Sequence, residues 1–150
     1  MIALIQKVSE ASVKINGIIK GEIKAGFAVL LGVTHTDTQE DVEWLSKKIV
    51  GMRIFSDEAG RMNLDLNSVN GNILLISQFT LYSSTKKGNR PSFIAAARPE
   101  IAILLYEKMI LQLEKDLGKY IQTGEFGADM KVSLINDGPV TIILDSKNKV

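Results

Sequence analysis

The chain has 150 residues, enough for one domain with a buried core, and its formal net charge of +1 argues against a protein that coats nucleic acid. It contains no cysteine, which excludes disulfide frameworks and thiolate chemistry. No apolar run reaches the length of a membrane span, and the opening MIALIQKVSE lacks the apolar core and cleavage site of a signal peptide. We therefore expect one cytoplasmic domain over residues 1–150.

The first third of the chain predicts a β-meander. Residues 12–15 alternate between polar and apolar, Asn16-Gly17 is a strong two-residue hairpin signal, and residues 18–23 return as a second strand. The stretch FAVLLGV that follows is almost continuously apolar. Such a run is typical of a strand that is buried on both faces.

Two helices interrupt the predicted strands. Thr38 is followed three residues later by Asp41, a capping-box spacing, and apolar residues at helical intervals then predict a helix over 38–51. A second helix begins at Pro99 and ends at Gly118.

The remaining segments read as strands. They are a short strand over 53–56, a long one over 72–82 (NILLISQFTLY), and two final strands separated by a Gly-Pro pair. We predict an α+β fold in which a largely antiparallel sheet or barrel-like core is covered by two helices.

Polar residues stand inside one of the apolar strands. Ser77, Gln78 and Thr80 follow the buried-looking run ILLI, with Phe79 among them. Polar groups at such a position must find hydrogen-bond partners or face a pocket. The alternative is a strand that leaves the core with ordinary outward-facing polar residues.

Basic residues concentrate in one segment. Between Leu66 and Pro99 there is no acidic residue, whereas Lys86, Lys87 and Arg90 lie in the loop KKGNRPSF before a short Ala-rich helix predicted over 94–97. The loop is suited to contact phosphates. The alternative is a solvated loop in which a serine caps the following helix.

The usual catalytic bases are scarce. His35, the only histidine, stands in a polar loop, where it is most simply a solvated residue. With one histidine and no cysteine, a zinc site would depend on carboxylates, so we expect no metal and no cofactor. Any chemistry must rest on backbone donors, hydroxyls or groups that the substrate brings.

The last strand pattern, VSLINDGPVTIILD, is interrupted in its middle. Apolar residues alternate on both sides of Gly138 and Pro139, yet proline cannot donate to a sheet and glycine weakens a strand. Asn-Asp-Gly-Pro is also strong turn chemistry, so the local pattern leaves a hairpin turn and a functional interruption both open.

Taken together, the motifs resemble the D-aminoacyl-tRNA deacylases, once called D-tyrosyl-tRNA deacylases. The resemblance runs from residue 1 to about 145 through MIALIQKVSEASV, LLGV, RIFSDEAGRMN, SQFTLY, KGNRPSF, GEFGADM and NDGPVT. Three departures are visible. The family often has alanine at the position of Ser83, arginine near Lys86, and arginine where Glu125 stands.

The resemblance implies an activity and a site. It implies hydrolysis of D-aminoacyl-tRNA and of glycyl-tRNA(Ala), by a homodimer in which a Gly-cis-Pro motif, here Gly138-Pro139, enters the partner's active site and rejects L-amino acids. It assigns catalysis to the motif Ser77, Gln78, Phe79 and Thr80, and substrate binding also to Phe126 and Met130.

The resemblance further implies RNA-assisted catalysis, in which the ribose 2′-hydroxyl activates water. Thr80 competes as a nucleophile. The basic residues Lys86, Lys87 and Arg90 are the predicted tRNA contacts. The alternative from another class is a non-catalytic, nucleic-acid-binding homodimer that uses the basic loop alone.

Overall fold

The computed structural model describes residues 1–150, which form eight strands, two α-helices and a short 3-10 helix. The strands are β1 Ile2–Ile15, β2 Ile18–Ile23, β3 Gly26–Gly32, β4 Phe55–Ser56, β5 Met62–Leu64, β6 Asn72–Ser77, β7 Gln122–Thr123 and β8 Lys131–Asp145. The helices are α1 Gln39–Gly51, the 3-10 helix Phe79–Tyr82 and α2 Pro99–Leu117. Neither α-helix combines the length and the apolar character needed to cross a membrane.

Six strands form one mixed sheet around β1. Strand β1 pairs antiparallel with β8 along one edge, and with β3 and then β2 along the other, while β3–β6 and β6–β7 are parallel pairs. Strand β2 returns so close to β7 that a Cβ on Gly21 would lie 2.9 Å from the carbonyl oxygen of Thr123. The sheet is thus nearly closed into a barrel, and the predicted α+β fold with two helices is confirmed, with two parallel pairings.

Both faces of β3 and β6 are buried. One face packs with α1 and α2 in a core cluster of 24 buried residues, to which β3 contributes Phe27, Val29 and Leu31. The other face belongs to a cluster of seven that includes Ala28 and Leu74. The apolar run FAVLLGV was predicted to be buried on both faces, and it is.

The local signals for turns and helix ends are confirmed. Asn16 and Gly17 both have positive φ, 51° and 75°, as a two-residue hairpin turn requires. The backbone N–H of Thr38 donates to the carboxylate of Asp41 at 2.8 Å, which starts α1. Gly118 ends α2 in the left-handed conformation at φ 81°.

Two predictions for residues between 72 and 97 are wrong. Residues 72–82 are not one strand, because β6 ends at Ser77 and the chain turns at Gln78 (φ −146°, ψ 82°) into the 3-10 helix. Residues 94–97 form no helix, because the N–H of Ala97 donates to Val33 at 2.9 Å and Ala96 bridges Thr34. Pairing with the chain after β3 replaces the helix that the alanines favoured.

The interrupted pattern at the C-terminal end of the chain is a single strand. Asn136 pairs opposite Val8 and Thr141 opposite Gln6, so both halves of β8 run along β1 in the same direction. Residues 137–140 therefore bulge out opposite a single residue of β1. The prediction of two strands, and with it the hairpin turn, is wrong. The Gly138–Pro139 peptide bond is cis.

Candidate active site

The SQFT segment leaves the sheet where β6 ends. The backbone N–H of Gln78 donates to Leu31 of β3 at 2.7 Å, and its side-chain amide donates to the hydroxyl of Thr80 at 2.5 Å. The 3-10 helix begins its bonding with the N–H of Leu81, which donates to the carbonyl of Gln78 at 3.3 Å. The N–H groups of Phe79 and Thr80 precede that bond and have no acceptor within the helix.

A cavity of about 610 Å³ opens beside this segment, between β3, β6, α2 and the chain before β8. Most of its lining residues are apolar and a few are polar, as in most small-molecule sites. Five of the predicted site residues line it: Ser77, Gln78, Phe79, Phe126 and Met130. Thr80 does not, although it is hydrogen-bonded to a residue that does.

Helix α2 supplies a wall that the sequence analysis missed. Tyr106 lines the cavity, and its hydroxyl donates to the carbonyl of Leu75 at 2.8 Å. Burial raises the pKa of Tyr106, so the phenol is neutral and serves as a hydrogen-bond donor that ties α2 to β6. Its ring centroid lies 6.2 Å from that of Phe126. The available signal was a tyrosine at helical spacing from Ala102 and Met109, on the apolar face of a predicted helix.

Gly124 was also missed. A Cβ at this position would overlap the sulfur of Met130 and lie 3.2 Å from Cδ1 of Ile76. The absence of a side chain allows Met130 to pack down against β6, where it lines the cavity.

The cavity holds no histidine, lysine or arginine among its lining residues. Its only carboxylate belongs to Asp129, which is exposed and pairs with Lys131 at 3.0 Å. His35 lies outside the lining, where its Nε2 is 2.9 Å from the carbonyl oxygen of Ile94. No group of three potential metal ligands occurs in the chain. The chemistry available at the cavity is therefore that of backbone N–H donors, an amide, hydroxyl groups and the paired carboxylate of Asp129.

Gly138 and Pro139 do not line the cavity of their own chain. They are exposed on the bulge of β8, which Asn136 braces by accepting from the N–H of Val140 at 3.2 Å and donating to Thr141 at 3.0 Å. A single chain therefore does not bring the Gly-Pro pair together with the SQFT segment.

The basic loop is tied at its base. Ser84 and Ser92 exchange two backbone hydrogen bonds, of 2.9 and 2.8 Å, which close the intervening residues into a projecting loop. Lys86, Lys87 and Arg90 are exposed in this loop, and none of them forms a salt bridge within the chain. They remain free for an anionic partner.

The carboxylates of Asp37, Asp41 and Asp145 lie near the far end of the 3-10 helix. Burial raises the pKa of Asp41, but hydrogen bonds from Ser146 and Lys147 outweigh it, and the pKa falls to about 2. Tyr82, the last residue of the helix, has a buried hydroxyl with no partner. Burial and the nearby carboxylates of Asp37, Asp145 and Asp41 raise the pKa of this phenol, which stays neutral.

Comparison with known proteins decides the family. The sequence profile described as D-Tyr-tRNA(Tyr) deacylase matches residues 4–145. The chain belongs to this deacylase family. The D-aminoacyl-tRNA deacylase of Cytophaga hutchinsonii is 64% identical over 149 residues, 99% of each chain. That of Flavobacterium psychrophilum is 58% identical with the same coverage.

Solved structures agree with the fold of the deacylase family. A structure titled c-Myc DNA Unwinding Element Binding Protein is 40% identical, covers 97% of this chain and 98% of its own, and has a TM-score of 0.90. A probable eukaryotic D-amino acid tRNA deacylase has a TM-score of 0.83 at 15% identity, with 95% of this chain and 97% of its own covered, and supports the fold alone.

Proposed function

We propose that the protein hydrolyses the ester bond of D-aminoacyl-tRNA in the cytoplasm, releasing free tRNA and a D-amino acid. One observation carries the proposal. In a chain that matches the deacylase family almost from end to end, Ser77, Gln78 and Phe79 of the SQFT segment all line the same apolar cavity. That cavity receives the aminoacylated terminal adenosine of the tRNA. Phe126 and Met130 contact the substrate there, while Ser77 and Gln78 orient its ester.

Catalysis rests on the backbone. Water attacks the ester carbonyl, and the N–H groups of Phe79 and Thr80 hold the developing oxyanion, each donor contributing about 3 kcal/mol if it acts as oxyanion-hole donors do elsewhere. The bond between the carbonyl carbon and the ribose 3′-oxygen then breaks, and the 3′-oxygen takes up a proton. The adjacent ribose 2′-hydroxyl activates the water, since the cavity lining offers no histidine or lysine to do so.

Thr80 shapes the motif and does not attack the substrate. Its hydroxyl accepts a hydrogen bond from the amide of Gln78, whereas the only histidine, His35, contacts the carbonyl oxygen of Ile94 and is not hydrogen-bonded to Thr80. A hydroxyl without an adjacent base is a weak nucleophile.

Chirality is read by a second copy of the chain. Gly138 and Pro139 of one protomer enter the cavity of the other, where their carbonyl oxygens accept hydrogen bonds from the substrate ammonium and occupy the space that an L side chain needs. Glycine has no side chain to exclude, so glycyl-tRNA(Ala) is also hydrolysed.

Two observations support the homodimer. The Gly-Pro bulge is exposed and lies outside its own cavity. Strand β8 is also paired along one edge only, and it carries the exposed apolar side chains of Ile135 and Ile143. An unpaired edge with exposed apolar residues is suited to association with another chain.

The basic loop binds the tRNA phosphates. Lys86, Lys87 and Arg90 are exposed and free of internal ion pairs, so their charges are available to phosphate oxygens.

The second candidate is a non-catalytic nucleic-acid-binding homodimer. The basic loop supports it, as does the similarity to a structure whose title names a DNA-element-binding protein. Release of D-tyrosine from D-Tyr-tRNA separates the two functions. The enzyme releases it catalytically, Gln78→Ala slows the release, and the exposed control Gln39→Ala does not. A protein that binds the tRNA but leaves the ester intact would refute the proposed hydrolysis.

A further inference from the structure

Two phenylalanines stand at the edge of the cavity with much of their surface in solvent. Phe79 is 56% exposed and Phe93 is 36% exposed, although both line the cavity. Their ring centroids are 5.2 Å apart and their planes meet at 76°, an edge-to-face pair. The exposed part of each ring is available for contact with a further ring.

The backbone that carries Phe93 is fixed. Its carbonyl accepts from the N–H of Ala96 at 3.0 Å, the hydroxyl of Thr34 donates to the carbonyl of Ala95 at 2.5 Å, and Nε2 of His35 lies 2.9 Å from the carbonyl oxygen of Ile94. A side chain on so well held a segment costs little conformational freedom when it receives a ligand.

The aromatic pair connects the cavity lining to the basic loop along the chain. Phe93 directly follows Ser92, which closes the base of that loop with Ser84, and Phe79 directly follows the cavity residues Ser77 and Gln78. A nucleic-acid strand whose last nucleoside is in the cavity and whose phosphates meet the basic loop must pass these rings. Basic grooves lined with exposed aromatic side chains are the common way in which proteins bind single strands.

We infer that Phe93, packed against Phe79, is a stacking platform for the base of the penultimate nucleotide of the tRNA acceptor end. This inference rests on the proposed function, because it assumes that the terminal adenosine occupies the cavity. It adds a subsite that holds the single-stranded end and takes no part in the chemistry. The platform therefore affects tRNA substrates more than substrates that end at the adenosine.

The test compares two substrates with one set of variants. Phe93→Leu removes the aromatic face but keeps apolar bulk, Phe93→Trp keeps the face, and Leu111→Ala alters an exposed apolar residue of α2 as the control. The substrates are D-Tyr-tRNA and 3′-O-(D-tyrosyl)adenosine, which lacks the penultimate nucleotide. We expect Phe93→Leu to raise KM for the tRNA about tenfold with little change in kcat, and to raise KM for the adenosine ester much less.

A modified RNA localises the effect. With the wild-type protein, a tRNA that is abasic at the penultimate position should show the same rise in KM. Phe93→Leu should cause no further rise in KM on this abasic tRNA. Phe93→Trp should restore wild-type KM on unmodified tRNA. Equal losses on both substrates would overturn the inference, since Phe93 would then shape the cavity. No loss on either would overturn it too, as would a change in sedimentation, which would mean that a second protomer covers the ring.

Binding of an unacylated hairpin RNA that ends in CCA, followed by fluorescence anisotropy, tests the platform without catalysis. Phe93→Leu should weaken the binding of the intact hairpin about tenfold and leave the abasic hairpin unaffected. A wild-type protein that binds the hairpin in this way but hydrolyses neither ester would refute the proposed function while upholding the platform. Equal binding of the hairpin by both proteins would refute the platform.

Discussion

Replacing Gly138 with alanine disturbs the backbone that is proposed to read chirality. Gly138 has φ 126°, which L residues rarely adopt, and the added Cβ would lie 2.8 Å from Cγ2 and 3.1 Å from the backbone nitrogen of Val140. Val140 is braced through its own N–H by Asn136, so it cannot yield freely. We expect the bulge to shift and its carbonyl oxygens to turn away from the position proposed for them in a second protomer.

The expected magnitudes differ for stability and for activity. A backbone conformation of this kind costs about 1–3 kcal/mol for a non-glycine residue, and because the exposed bulge can relax, we expect the free energy of unfolding to fall by about 1 kcal/mol. Activity is more sensitive, because a misplacement of about 1 Å in a positioning group can lower a rate about a hundredfold. We therefore expect kcat/KM on D-Tyr-tRNA to fall by about that factor in Gly138→Ala.

The assay pairs chemical denaturation with D-Tyr-tRNA hydrolysis. Gly60→Ala is the matched control, since Gly60 has φ 76° in an exposed turn, and it should lose stability without losing activity. Mixing Gly138→Ala with Gln78→Ala should restore about a quarter of wild-type activity, because half of the randomly formed dimers carry one complete site. A wild-type rate in Gly138→Ala, or no recovery on mixing, would refute the cross-subunit account.

Three further outcomes are expected. Changing Lys86, Lys87 and Arg90 to glutamine should weaken tRNA binding and reduce the slope of log K against log salt by roughly 0.7–0.9 per lost phosphate contact; an unchanged slope would mean that the loop is only solvated. Thr80→Ala should keep measurable D-ester hydrolysis, whereas a 2′-deoxy terminal ribose should abolish it; the reverse pattern would favour a covalent threonine. The pKa of Asp41 is lowered from 3.8 to about 2, so its contribution to stability is complete above pH 4 and is lost as the pH falls toward 2. The free energy of unfolding, followed by circular dichroism, should therefore fall less between pH 4 and pH 2 in Asp41→Asn than in the wild-type protein.

Features that depend on a few neighbouring residues were predictable from the sequence. The Asn16-Gly17 turn and the capping box at Thr38 form with their local chemistry because their partners lie within a few residues. The α+β class followed in the same way from hydrophobic periodicity.

Features that depend on distant pairing were not predictable. The signals around Gly138 fit a hairpin turn, and only the pairing of both halves of β8 with β1 shows that the chain bulges and continues. Residues 94–97 have helix-forming alanines, yet hydrogen bonds to Val33 and Thr34 hold them in another conformation. Tertiary pairing overrides local propensity at both places.

The candidate site divides in the same way. Ser77, Gln78 and Phe79 were predictable because polar residues interrupt an apolar strand, but Tyr106 comes from a helix that follows much later in the chain. Its contribution to the cavity depends on how α2 packs over the sheet, and local sequence patterns do not predict that packing. Gly124 was missed because its role is to leave room for Met130, and an absent side chain leaves little signal in a single sequence.

The most direct measurement compares hydrolysis of D-Tyr-tRNA and L-Tyr-tRNA by the same preparation, each against its uncatalysed rate. If SQFT positions the ester and the partner's Gly-Pro carbonyls exclude L side chains, the protein accelerates loss of the D-ester by at least about a hundredfold more than loss of the L-ester. Equal acceleration of both esters would contradict the chiral filter, and acceleration of neither would contradict the hydrolase itself.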